Sequence, residues 1–224
     1  MTPRELIATA AIPGGDELRL FRRGQDWMVV LDRNELMSSR MSGSEEALAT
    51  LTAARLSRRA NPRVLIGGYG MGFTLRAALA AFASDARFTV AELVPEIVDW
   101  ARGPMASLTA GCLDDPRVAI EIGDVAASIA RGAKDAGWDA ILLDVDNGPD
   151  GLTRAGNDCL YAGPGLAAAR AALRPGGLLA IWSAGPDAAF VRRLGAAGFA
   201  VEEVAVRARS NGKGPRHVIW FARA

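Results

Sequence analysis

The stretch Val64-Leu65-Ile66-Gly67-Gly68-Tyr69-Gly70-Met71-Gly72-Phe73-Thr74 decides the fold. An apolar run enters a glycine-rich loop, and the loop opens into a helix. Glycines let the backbone turn sharply and approach a ligand, because no Cβ intervenes. Glu92 follows about twenty residues after the loop, at the end of the next apolar run, where an acid accepts hydrogen bonds from ribose hydroxyls. Together these features predict a site for the adenosine half of a nucleotide.

Outward from that core, strands and helices alternate. The apolar runs predict strands at Val64–Gly68, Phe88–Leu93, Val118–Gly123, Ala140–Val145, Leu178–Ser183, Val201–Arg207 and Val218–Ala222. Helices are expected near 73–83, 95–102, 125–132, 161–173 and 187–196. Such alternation implies a parallel sheet covered on both faces. The last two strands are joined by Arg209-Ser210-Asn211-Gly212-Lys213-Gly214-Pro215, with no room for a helix. A parallel crossover needs about a dozen residues or more, so this pair is expected to be antiparallel.

Residues 17–32 read as a β-hairpin turning at Arg23-Gly24-Gln25. Ser42 and Glu45 have the spacing of a capping box for a helix reaching about Arg59, and Asn61-Pro62 stops it. The expected division is therefore 1–60, a hairpin and linking helix, and 61–224, a nucleotide-binding unit.

Acids at successive strand ends carry the expected chemistry. Glu92 would hold the ribose diol with Leu93 beside it. Asp124, with Val125, would accept from the adenine amino group. Asp144 would face the reacting end. Gly68, Tyr69, Gly70 and Gly72 would form the loop around the nucleotide.

A seven-stranded sheet ending in an antiparallel pair resembles the class I S-adenosylmethionine-dependent methyltransferase fold. Within it, Ala91-Glu92-Leu93-Val94-Pro95-Glu96-Ile97-Val98, Gly123-Asp124, Leu143-Asp144 through Pro149, Leu160-Tyr161 and Arg174-Pro175-Gly176-Gly177 resemble the spermidine synthase-like proteins. Those are aminopropyltransferases built on the methyltransferase fold. The resemblance implies S-adenosylmethionine or its decarboxylated form as the nucleotide, a small-molecule acceptor, and room for a homodimer.

Three departures bear on the reaction. The family usually has Gly-Gly-Gly-Asp-Gly-Gly in the loop, its Asp binding the cofactor's amino group, and Gly70 stands at that Asp. The family's base falls on Asn147 in Asp144-Val145-Asp146-Asn147-Gly148. An amide takes no proton from an amine at neutral pH, so that role would pass to Asp146. The aromatic segment lining the polyamine tunnel has no match, and the loop in its place carries Arg207, Arg209, Lys213 and Arg216. These departures favour methyl transfer as the expectation, with Asp144, Asp146 and Asn147 as catalytic candidates. Aminopropyl transfer is the alternative, and a non-catalytic nucleotide-binding homologue is a third. The basic loop would favour a neutral or anionic acceptor.

Composition narrows the rest. The chain has 224 residues, 50% of them hydrophobic, and a net charge of +1, which recruits neither nucleic acid nor a membrane surface. Met1-Thr2-Pro3-Arg4-Glu5 has no signal-peptide pattern and no apolar run is long enough to span a bilayer, so a cytoplasmic protein is expected. Cys112 and Cys159 make no metal or redox motif, and no metal is expected. His217 is the sole histidine, which argues against a catalytic triad or a histidine metal site.

Overall fold

The computed structural model describes residues 2–13, 16–145 and 159–224. Two sheets organise them. The first is antiparallel, with β1 (Glu5–Ala11), β2 (Glu17–Arg23), β3 (Asp26–Leu31) and β4 (Asn34–Ser38) side by side in that order. The expected hairpin is its central pair, with Leu20 opposite Val29 and Leu18 opposite Leu31. The outer strands β1 and β4 were not anticipated. β1 is alanine-rich and largely exposed, so it lacks a clear apolar alternation, while β4 is short and joins β3 through a bulge at Val29/Val30.

Helix α1 (Gly43–Arg55) follows. The capping box is corrected here: Ser42 is itself helical, its side chain makes no cap hydrogen bond, and Glu45 lines a cavity instead.

The second sheet holds β5 (Arg63–Gly67), β6 (Arg87–Glu92), β7 (Val118–Ile122), β8 (Trp138–Leu143), β9 (Leu173–Ser183), β10 (Ala200–Arg207) and β11 (Arg216–Arg223). Its order is β10-β11-β9-β8-β5-β6-β7. β5 to β9 pair in parallel, and β11 runs antiparallel to both β9 and β10, as the short final connection required. The helices between them are α2 (Phe73–Ala81), α3 (Pro95–Arg102), α4 (Ala106–Thr109), α5 (Val125–Gly132), α6 (Gly163–Ala172) and α7 (Ala188–Ala196).

Strand alternation sorts the core onto two faces. Val64, Ile66, Phe88, Val90, Ala140 and Leu142 pack with α1, α2, α3 and the small sheet. Leu65, Ile141, Leu143, Leu179 and Ile181 pack with α5, α6 and α7. Leu20, Val29 and Leu31 of the small sheet belong to the first of these cores, so the small sheet is sealed onto the large one. At the turn Arg174-Pro175-Gly176-Gly177 the β8–β9 pairing slips, from Trp138 opposite Leu173 to Ala140 opposite Leu178, and Gly176 takes φ +71°.

The chain leaves β5 outward to β6 and β7, then returns to β8 on the other side of β5. This reversal opens a crevice at the carboxyl ends of β5 and β8, the usual place for a ligand in an open α/β sheet. Among the described residues, no helix is long and apolar enough to cross a membrane.

Candidate functional site

A cavity of about 130 Å³ lies over the crevice. Gly68, Gly70, Glu92, Leu93, Asp124, Val125 and Asp144 line it, and Ile12, Leu18, Leu36 and Met37 of the small-sheet segment roof it. Backbone bonds beyond the strand ends set these residues in place: Gly68 N donates to Ala91 O at 2.9 Å, Gly123 N to Glu92 O at 2.8 Å, and Asp144 N to Gly67 O at 3.2 Å.

The glycine loop is shaped by left-handed backbone and close approach. Gly68 has φ +83°, and a Cβ there would lie 2.8 Å from the carbonyl oxygen of Asp144. Gly72 has φ +77°, and a Cβ there would lie 2.6 Å from the Tyr69 hydroxyl. Gly72 and Tyr69 do not line the cavity among the described residues. Tyr69, expected at the nucleotide, turns its ring into the core, where its hydroxyl meets Cys112 Sγ at 3.4 Å. Burial raises both the tyrosine and the cysteine pKa, so both stay protonated at neutral pH.

Glu92 is 7% exposed. Its Oε2 accepts the Tyr69 N–H and its Oε1 the Val94 N–H, each at 2.8 Å. Burial pushes its pKa up, and the surrounding backbone N–H groups pull it back. Asp124 is exposed at the rim, where its Oδ1 caps α5 by accepting from Ala126 N at 2.8 Å. Asp144 Oδ2 accepts the Thr74 hydroxyl at 2.7 Å. Burial lifts its pKa to about 6 against that hydrogen bond. Asp146 and Asn147, the other catalytic candidates, lie outside the described residues.

A second cavity of about 230 Å³ adjoins the first, and Leu36, Met37, Gly70 and Asp144 line both. Its remaining walls include Glu35, Ser44, Glu45, Trp182 and His217. Burial first, then the charges of Asp144 and Glu46, raise the Glu45 pKa well above its ordinary value. Ser44 Oγ lies 2.8 Å from His217 Nδ1, and the Trp182 ring meets the imidazole edge-on at 4.8 Å. Burial lowers the His217 pKa. No lysine or arginine lines either cavity among the described residues. Arg207, Arg209, Lys213 and Arg216, expected at the rim, are exposed outside both.

At Gly70 the small sheet comes close to the loop. The glycine has φ +56°, and a Cβ would lie 3.2 Å from Met37 Sδ. Met37 stands beside the position where the spermidine synthase-like loop carries its Asp.

No protein-family model matches the chain. Polyamine aminopropyltransferases of Mycobacterium tuberculosis H37Rv and Mycobacterium bovis are 31% identical to it over 172 residues, 76% of this chain. The chain spans 31% of the length of those relatives. Among solved structures, spermidine synthase from Thermotoga maritima superposes with a TM-score of 0.77 at 20% identity, covering 97% of this chain and 72% of that one. A spermidine synthase bound to the transition-state analogue AdoDATO gives 0.75 at the same identity and coverage. A probable spermidine synthase from Corynebacterium glutamicum gives 0.65 at 14% identity, covering 98% and 81%.

The chain has the fold of these spermidine synthases. Its seven-stranded sheet and small antiparallel sheet are the fold those structures share with it. Within that fold, sequence reasoning missed the second cavity's Glu35, Ser44, Glu45 and His217. Glu45 reads in the sequence as a capping acid, and the lone histidine argues there only against a catalytic triad or a histidine metal site. The one available signal is the acid pair Glu45-Glu46 at a helix start.

Proposed function

We propose that this protein transfers an alkyl group from an S-adenosyl-type nucleotide to a cationic amine, and that the group is aminopropyl. One observation carries the reading: the cavity next to the nucleotide crevice is walled by Glu35, Glu45 and Asp144, without a lysine or arginine among its described lining. Of these Glu35 is exposed, whereas burial disfavours the charged forms of Glu45 and Asp144 unless they are paired. An ammonium group offsets that cost, whereas an anion would add to it. The charge of the hairpin loop had favoured a neutral or anionic acceptor, but that charge lies outside the cavities. The names of the relatives agree with this reading.

The residues present fit the nucleotide. Gly68 leaves no room for a side chain, Glu92 is a buried acceptor with lone pairs beyond its two backbone bonds, and Ile12, Leu18 and Leu36 make an apolar roof. In this reading Glu92 would hold the ribose, and Asp124, Leu93 and Val125 the adenine. When bound, the nucleotide supplies a carbon made electrophilic by an adjoining sulfonium. The protein's contribution is alignment: Asp144, shared by both cavities, orients the acceptor toward the crevice. Glu45 would supply near Gly70 the carboxylate that the loop lacks. Residues 1–60 would then furnish the roof and Glu45, and residues 61–224 the nucleotide site.

Methyl transfer is the second reading. It is favoured by Gly70, since a side-chain-free loop position asks for no cationic group on the transferred chain. The test is mass spectrometry of products from putrescine with decarboxylated S-adenosylmethionine, beside putrescine with S-adenosylmethionine. An aminopropylated diamine is the expected product. A methylated diamine would replace the first reading by the second, and binding of both ligands without product would favour the non-catalytic homologue.

A further inference from the structure

We propose that the Ser44–His217 pair takes the proton from the acceptor amine. The inference rests on reading the second cavity as the amine site.

Four observations lead there. His217 and Ser44 both line that cavity. They are 2.8 Å apart at Oγ and Nδ1. Ser44 is 1% exposed at the start of α1, so its hydroxyl has little water to turn to. The contact is also held by the backbone: Gly43 N donates to Ala208 O at 2.9 Å, which ties the start of α1 to the loop leading into β11.

The partner's chemistry matters. A carbonyl would fix one tautomer of the ring, but a hydroxyl donates or accepts. It can donate to Nδ1 of the neutral ring and accept from Nδ1–H of the charged one, so the bond survives both states. An amine nucleophile needs its lone pair free, which an ammonium lacks. One N–H bond of the ammonium breaks and its electron pair stays on nitrogen. The proton joins the imidazole, directly or as Ser44 passes its own proton to Nδ1 while receiving the ammonium's. Charge in the cavity is unchanged.

The carboxylates suit this step less well. Glu35 from β4, Glu45 from α1 and Asp144 beyond β8 face the same space. An ammonium between them favours their charged forms, which makes them poorer proton acceptors. Burial raises the Asp144 and Glu45 pKa values and lowers that of His217, so the choice rests on geometry: the carboxylates pair with the ammonium, while the Ser44–His217 contact offers it a neutral acceptor. The same carboxylates stabilise the imidazolium once it forms. Arg216, the chain neighbour of His217, and Arg207 opposite it on β10 lie outside the cavity.

A single histidine makes the test direct, because its imidazole resonances need no assignment. The His217 titration is followed by NMR with and without saturating putrescine, and putrescine binding is measured by calorimetry. Diamine in contact with the pair should lower the midpoint, since like charge disfavours the imidazolium. In His217→Gln, putrescine should still bind within a few-fold while kcat falls about 100-fold or more. Ser44→Ala should shift the NMR midpoint, and the acid limb of kcat/KM should shift with it. Putrescine that binds but leaves the midpoint unmoved overturns the inference, as does an acid limb unaltered in His217→Gln or one that ignores the Ser44→Ala shift. Failure of putrescine to bind the wild-type protein overturns the amine reading and this inference with it. Ser44→Ala removes one oxygen, so it serves where the histidine variant does not fold.

Discussion

Glu92 Oε2 accepts the backbone N–H of Tyr69 at 2.8 Å, so the acid expected to hold a ribose also clamps the glycine loop. Its other oxygen clamps Val94 at the start of α3. Glu92→Gln keeps the size but turns one acceptor into a donor, leaving one of those two N–H groups unsatisfied. That should cost about 1–3 kcal/mol of stability. Nucleotide affinity should fall by a comparable amount, because the same carboxylate would accept the ribose hydroxyls. Thermal melting and calorimetry with decarboxylated S-adenosylmethionine measure the two effects. A lower melting temperature with unchanged affinity would leave Glu92 as a loop clamp only.

Asp144 and Glu45 give opposite pH trends for stability and for amine binding. Burial raises both pKa values, that of Asp144 to about 6 and that of Glu45 further by its repulsion with Asp144. A carboxyl with a raised folded pKa binds more protons folded than unfolded. Its contribution is therefore fully present below the unfolded pKa and is lost as pH rises through the folded one. For Asp144 that window runs from about 4 to about 6. This part of the free protein's stability should decline across it. Putrescine affinity should rise over the same range as the carboxylates ionise. Glu45→Gln should raise the melting temperature at pH 8 and weaken putrescine binding. Melting curves and calorimetry between pH 4 and pH 8 check both slopes, and parallel slopes would sink the assignment.

The crevice at the strand ends was legible because its parts are local. Gly68, Glu92, Asp124 and Asp144 each stand at or just beyond a strand end, and strand alternation places the ends together. The second cavity was not legible, because its lining comes from β4, the start of α1, the end of β8, β9 and β11, which lie far apart in sequence. Glu45 and His217 meet only through the fold. The small sheet was half seen for a related reason: β2 buries alternate residues and β3 is a continuous apolar run, while Leu6 in β1 is 52% exposed and breaks the pattern. Charge on the 207–216 loop was visible, but its distance from the cavities was not.

Asp139 sits at the opposite end of the sheet and should matter for folding alone. It is 1% exposed at the start of β8. Its Oδ2 accepts from Arg63 N at 2.9 Å and from Arg174 Nη1 at 2.7 Å, and Arg59 lies 3.6 Å from Oδ1. Asp139→Ala leaves the Arg63 N–H without its acceptor and removes one partner from each of two part-exposed guanidinium groups, a loss of about 1–3 kcal/mol. Denaturant unfolding should report it, while nucleotide and putrescine affinities at 10 °C stay within two-fold. A large affinity change in a still-folded variant would contradict this division of labour.

The loop from Arg207 to Arg216 should act through its shape rather than its charge. Arg207 Nη1 bonds Gly214 O at 3.1 Å, Arg209 N bonds Lys213 O at 3.1 Å, and the loop's four cationic side chains face solvent outside both cavities. Solvent-exposed charges interact in high dielectric and are screened by salt. Replacing Arg209 and Lys213 with Gln should therefore leave kcat/KM for putrescine within two-fold, with the same salt dependence as the wild type. Gly43 is a different matter. A Cβ there would lie 2.3 Å from the backbone carbon of Arg209 and 2.5 Å from Ser210 N. Both neighbours are backbone, so Gly43→Ala must displace the loop or the start of α1. Either movement separates Ser44 from His217, and kcat should fall about ten-fold or more if the pair handles the proton. Salt titrations of kcat/KM on the three proteins compare the two outcomes. Salt curves that diverge for the charge variant, beside an unaffected Gly43→Ala, would return the role to the loop's charge.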